Sequence, residues 1–127
     1  MRFIITVFLM FFASVAFGED NMLQESVYTQ VQHNIGKGKP TFLEVGSDSC
    51  HSCKVMSRML YETTQKHPEY NIYFINVKKE RDAASELKIM MIPTQIIYDK
   101  NGKEVYRHIG LLSDDELEKL FINYQFK

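Results

Sequence analysis

The chain's only two cysteines stand at positions 50 and 53, in the stretch Gly46-Ser47-Asp48-Ser49-Cys50-His51-Ser52-Cys53-Lys54. Two thiols at this spacing can form and break a disulfide with each other. An apolar run, Thr41-Phe42-Leu43-Glu44-Val45, precedes them, and an amphipathic helical pattern follows. A CxxC pair between a strand and a helix is a redox arrangement. The first turn of a helix carries unpaired N–H groups and the positive end of the dipole. A thiol placed there is favoured as thiolate, the attacking species. This reading makes Cys50 the exposed nucleophile and Cys53, one turn further, the buried resolving thiol.

Two other uses of the pair compete. A structural zinc needs four ligands, and here the others would come from His33, His51, His67 and His108, which share no paired spacing. No metal is expected. A purely structural disulfide closing so short a loop would constrain little of the unfolded chain. His33, His67 and His108 are read as a helix end, a helix stop and a strand residue, with no constellation among them.

The elements that must position the pair follow from periodicity. Leu23, Val27, Val31 and Ile35 recur every four residues and predict a helix over 19–35. Gly36-Lys37-Gly38-Lys39-Pro40 ends it. Thr41 to Val45 is a strand. Asp48 or Ser49 is expected to cap the next helix, which runs to about Lys66 with Val55, Met56, Met59, Leu60 and Thr63 inward; His67-Pro68 stops it. Asn71 to Val77 is a second strand, dense in aromatic and β-branched residues. Lys79 to Leu87 is a short surface helix. Thr94 to Asp99 and Lys103 to Ile109 are strands joined by the turn Asp99-Lys100-Asn101-Gly102. Ser113-Asp114-Asp115-Glu116 opens a last helix as a capping box, with Leu117, Leu120, Phe121 and Tyr124 inward.

The length of 127 residues suits one domain. Met1-Arg2, the apolar run Phe3 to Ala13 and the small residues before Glu19 read as a secretory signal peptide over residues 1–18, with the domain at 19–127. The alternative is an uncleaved N-terminal anchor. Loss of residues 1–18 removes Arg2 and moves the net charge from −1 to −2. So even a balance argues against nucleic acid as a partner. An exported chain with one close cysteine pair must rest on an ordinary core, which leaves both thiols free for chemistry.

The order α, β, α, β, α, β, β, α resembles the thioredoxin-like family over the whole mature part. Lys39-Pro40 leads the strand into Cys50-His51-Ser52-Cys53-Lys54. Ile92-Pro93-Thr94 resembles the family's cis-proline loop, at a similar spacing from the cysteines. Lys100-Asn101-Gly102 and Gly110 match its hairpin and the glycine before its last helix. The opening helix followed by Gly-Lys-Pro also resembles thioredoxin-like domains of periplasmic electron-transfer proteins. The resemblance implies an α/β thioredoxin-like fold: a central mixed sheet of about four strands, a C-terminal antiparallel hairpin and flanking helices. It implies that Cys50 attacks and Cys53 resolves, that Ile92, Pro93 and Thr94 bind an extended substrate, and that Glu44 is a buried acid beneath the resolving cysteine. An acid buried in an apolar strand has a raised pKa, which would let Glu44 exchange the proton of Cys53 near neutral pH. The alternative is a solvated Glu44 at a sheet edge. His51 and Ser52 would tune the potential, unless His51 merely points to solvent. The chain departs from the family at Ser49, where a tryptophan is usual, at Phe74 in place of a lysine that often pairs with the buried acid, and at Arg58 in place of a helix-kinking proline.

The expected function is therefore that of an exported, periplasmic thiol–disulfide oxidoreductase, a protein-disulfide reductase with no cofactor beyond the redox-active Cys50–Cys53 disulfide. Its expected partners are client proteins and a membrane thiol-electron donor, and its expected state is a monomer. Two alternatives stay open: a disulfide-donating oxidase, and a non-catalytic module that holds peptides in the proline groove.

Overall fold

The computed structural model describes residues 21–127; the signal-peptide reading of residues 1–18 lies outside them. Among the described residues no helix is long and apolar enough to cross a membrane.

The element order is α1 (Tyr28–Asn34), β1 (Thr41–Gly46), α2 (His51–Lys66), β2 (Asn71–Asn76), α3 (Arg81–Glu86), β3 (Thr94–Tyr98), β4 (Glu104–Ile109) and α4 (Asp114–Asn123). The strands form one mixed sheet in the order β2-β1-β3-β4. β1 runs parallel to β2 across the α2 crossover and antiparallel to β3; β3 and β4 make the expected hairpin. Asp99 shapes the hairpin turn, its Oδ1 accepting from the N–H groups of Asn101 and Lys103 at 2.9 and 3.0 Å. Gly102 supplies the positive φ of +89° that the turn needs.

Helices cover both faces, which is why every residue of β1 is buried. Alternate side chains enter two separate cores. Phe42 and Ile97 point to α2 and α4 and pack with Met56, Leu60, Leu117 and Phe121. Leu43, Val45 and Ile96 point the other way, to Tyr28, Val31, Ala83 and Leu87. Glu44 falls on the α2 side of that alternation.

The structure corrects two expectations. The first helix is shorter than the four-residue repeat predicts, because residues 21–27 are extended. There Leu23 N–H donates to the Ser57 carbonyl at 3.2 Å, Ser26 N–H donates to the Phe74 carbonyl at 2.8 Å, and Glu25 forms an isolated parallel bridge with Phe74. The segment thus covers the outer edge of β2, where free backbone groups offer partners that a helix would forgo. The second correction is the cap of α2. It is Cys50 itself, not Asp48 or Ser49.

Candidate active site

β1 ends at Gly46, and the chain turns through Ser47, Asp48 and Ser49 into α2. Cys50 occupies the N-cap in an extended conformation, with φ −92° and ψ 121°. Its Sγ accepts the backbone N–H of Cys53 at 3.4 Å, the place a serine or aspartate oxygen usually takes. Cys50 is partly exposed, whereas Cys53 is 2% exposed. Burial pushes the Cys53 thiol up to about 12; the hydrogen bond and charge of Cys50 and the charge of Glu44 add to this, and the Ser47 backbone opposes it. An accessible sulfur beside a buried one suits attack by the first and resolution by the second. His51 is exposed at the first position of α2 and Ser52 is half-buried.

Glu44 has no exposed surface. It pairs across β1 with Phe74 of β2 on one side and Gln95 of β3 on the other. Phe74 brings no charge. Gln95 Nε2 lies 3.4 and 3.3 Å from the two carboxyl oxygens. Burial holds the carboxyl well above the usual carboxylate range; the Gln95 hydrogen bond pulls it down and the charge of Cys50 pushes it up. The edge-strand alternative for Glu44 is thereby removed, since β1 is an interior strand.

The Ile92–Pro93 peptide bond is cis. Pro93 is buried and Ile92 half-buried. The Pro93 carbonyl accepts from Gly110 N–H at 2.8 Å, and Thr94, 1% exposed, donates its hydroxyl to the Met91 carbonyl at 2.6 Å. Four exposed apolar residues flank this loop in the chain or across the hairpin: Met90, Met91, Ile109 and Leu111.

Three residues of this region escaped the sequence reading. A Cβ at Gly46 would lie 2.7 Å from Cys53 Sγ, so only glycine lets β1 pass that close to the thiol. Gln95 is fully buried, a lone polar residue in the run Thr94-Gln95-Ile96-Ile97-Tyr98 and visible as such. His108, read above as standing alone, is instead bonded to Gln95, its Nδ1 2.7 Å from Gln95 Oε1. Only the strand register could reveal that contact. His33 and His67 remain apart from the site; His67 stacks on Tyr70 and pairs with Glu69.

Comparison with known proteins agrees with this geometry. The pattern of a family described as a thioredoxin-like domain matches residues 27–125. A thioredoxin from Chlamydia trachomatis is 32% identical over 76 residues, covering 60% of this chain and 74% of that protein. An H-type thioredoxin of Fagopyrum esculentum is 28% identical over 86 residues, covering 68% and 73%. Among solved structures, mitochondrial thioredoxin 3 of Saccharomyces cerevisiae superposes with a TM-score of 0.67 at 20% identity, covering 83% of this chain and 99% of that one, a likeness of fold.

Proposed function

The chain belongs to the thioredoxin-like domain family, and from that premise we propose that it is an exported thiol–disulfide oxidoreductase that reduces disulfides in client proteins. The observation that carries the reading is the asymmetry of the pair: Cys50 partly exposed at the cap of α2, Cys53 buried beneath it with its N–H on the Cys50 sulfur.

The cycle runs as thiol–disulfide exchange. Cys50 attacks a client disulfide as thiolate; one client sulfur leaves and takes a proton, and a mixed disulfide forms. Cys53 passes its proton to the Glu44 carboxylate and attacks the Cys50 sulfur. The second client sulfur leaves and takes a proton. Two electrons reach the client, and Cys50–Cys53 becomes a disulfide. Burial raises the proton affinity of both the Cys53 thiol and the Glu44 carboxyl. That brings donor and acceptor closer in affinity than a buried thiol and a solvated carboxylate would be, which eases the transfer.

The client lies as an extended segment beside Ile92, Pro93 and Thr94, adding a short strand. Met90 and Met91, unbranched and exposed, give that rim an adaptable apolar surface. His51 and Ser52 adjust the potential. A membrane thiol donor returns the electrons, and no other cofactor takes part. The apolar run Phe3 to Ala13 and the small residues before Glu19 support export. Mass spectrometry of the mature protein should find Glu19 first; an intact Met1 on membrane-bound protein would make the segment an anchor instead.

Insulin reduction tests the chemistry. Wild type should accelerate precipitation of the insulin B chain by dithiothreitol, and Cys50→Ser should lose the acceleration. Cys53→Ser should accumulate mixed disulfides visible on a non-reducing gel. Equal activity of wild type and Cys50→Ser would contradict the mechanism and favour the peptide-holding alternative.

A further inference from the structure

Glu44, Gln95 and His108 occupy one register line across three strands. Glu44 on β1 pairs with Gln95 on β3, and Gln95 pairs with His108 on β4. Side chains opposite one another in a sheet share a face and touch, and these are joined by hydrogen bonds from end to end. Gln95 Nε2 donates toward both Glu44 oxygens, at 3.4 and 3.3 Å, and to the Gly110 carbonyl at 3.0 Å; Gln95 Oε1 meets His108 Nδ1 at 2.7 Å. The Gly110 carbonyl can only accept. It therefore fixes the amide with its nitrogen toward Glu44 and its oxygen toward His108. The amide oxygen can only accept in turn, so His108 carries a proton on Nδ1. β4 is an edge strand and His108 is half-buried, so the line runs from the solvent margin to a buried acid within electrostatic reach of Cys50 and Cys53.

We propose that Gln95 and His108 are positioning residues that set how readily Glu44 gives up its proton, coupling the charge of the imidazole on β4 to that carboxyl. The inference rests on the proton-relay role proposed above for Glu44. The amide itself carries no proton. It transmits polarisation: a second proton on His108 makes Nδ1–H a stronger donor to Gln95 Oε1, which strengthens the N–H bond that Gln95 gives the Glu44 carboxylate. The positive charge acts in the same direction, toward a Glu44 and a Gln95 that have no exposed surface. Both effects favour ionised Glu44.

The surroundings leave few rivals for this control. Phe74 flanks Glu44 from β2 without charge, and Cys50 and Cys53 face it from the redox loop and α2. Tyr106 stacks on the His108 ring at 6.4 Å from the same strand, and Glu116 of α4 lies within electrostatic reach of His108. Among the described residues, Gln95 supplies every hydrogen bond made to the Glu44 carboxyl.

The test is the pH dependence of mixed-disulfide resolution, followed by stopped flow on the full chain. It compares wild type with His108→Gln, Gln95→Met and Glu44→Gln. Glutamine at 108 can still donate to Gln95 but never becomes charged. In His108→Gln the midpoint of the Glu44-dependent limb should move up by about half a pH unit or more, a rate loss of roughly threefold at a pH on the limb. Gln95→Met, which strips the donor from Glu44, should move it further. A merely structural role for His108 would change the melting temperature and leave the midpoint in place. An unmoved limb in either variant overturns the coupling. A limb that survives in Glu44→Gln overturns the relay reading itself, and the coupling falls with it.

Discussion

Glu44 carries a cost that its function must justify. A carboxyl with no exposed surface binds its proton more tightly in the folded chain than in the unfolded one. Its folded pKa lies above the unfolded value of 4.5, so the stability it contributes is complete below that value. That stability drains away as pH rises from there toward the folded pKa, at about 1.4 kcal/mol for each unit of separation. Glu44→Gln should therefore unfold at higher urea than wild type near neutral pH and lose the advantage below about pH 4.5. Parallel urea midpoints across that range would contradict the assignment. Gly46 makes the opposite kind of demand. An alanine there would set its Cβ 2.7 Å from Cys53 Sγ, and such overpacking costs about 1–3 kcal/mol. Gly46→Ala should lower the urea midpoint accordingly and slow resolution; an unchanged midpoint would mean that the strand shifts freely. The two cysteines and Glu44 were legible by type and place in the sequence. Gly46 was not, because a glycine after a strand reads as the start of a loop. The close approach that requires it belongs to tertiary packing.

The elements vary in how far local pattern determines them. α4 is the most self-contained. Ser113 Oγ accepts from Glu116 N–H at 3.2 Å, and Glu116 Oε2 accepts from Ser113 N–H at 2.8 Å, a reciprocal box that the sequence displayed in full. Ser113→Ala should cost about 1 kcal/mol in chemical unfolding, with the redox chemistry untouched. No measurable loss would show that burial of Leu117, Leu120 and Phe121 holds the helix without its cap. α1 is the contrary case. A spacing of four places residues on one face of a helix, but four is also an even number, so the same residues share one face of an extended strand. Leu23 belongs to the extended part and Val31 to the helix. The choice between them was made by Ser57 and Phe74, whose positions are remote in sequence. The cap of α2 was misread for a chemical reason. Oxygen-bearing Asp48 and Ser49 are the better caps by type, but the helix begins where Cys50 can place its sulfur over the Cys53 N–H.

At the scale of the whole molecule the sheet order β2-β1-β3-β4 puts β1 inside and sends its C-terminal end to the redox loop. Sequence reading reached the strands, the crossover and the hairpin because each is a local pattern of alternation, turn and helix. It did not reach the register, and the line Glu44, Gln95, His108 exists only in the register. The exposed Ile109 and Leu111 are likewise brought beside the loop of Met90, Met91 and Pro93 only by the pairing of β3 with β4 and the Gly110 N–H bond to the Pro93 carbonyl. A buried thiol, a buried acid and exposed apolar residues around the cis-proline loop are the features on which the proposed reductase role rests. The most direct measurement of that claim is the redox state of the Cys50–Cys53 pair in living cells, by acid quench and thiol alkylation. A mostly reduced pair in an oxidising compartment is the predicted result, since a reductase must be kept supplied with electrons. A pair found mostly oxidised, with its electron supply intact, would contradict the account and make the protein a disulfide donor.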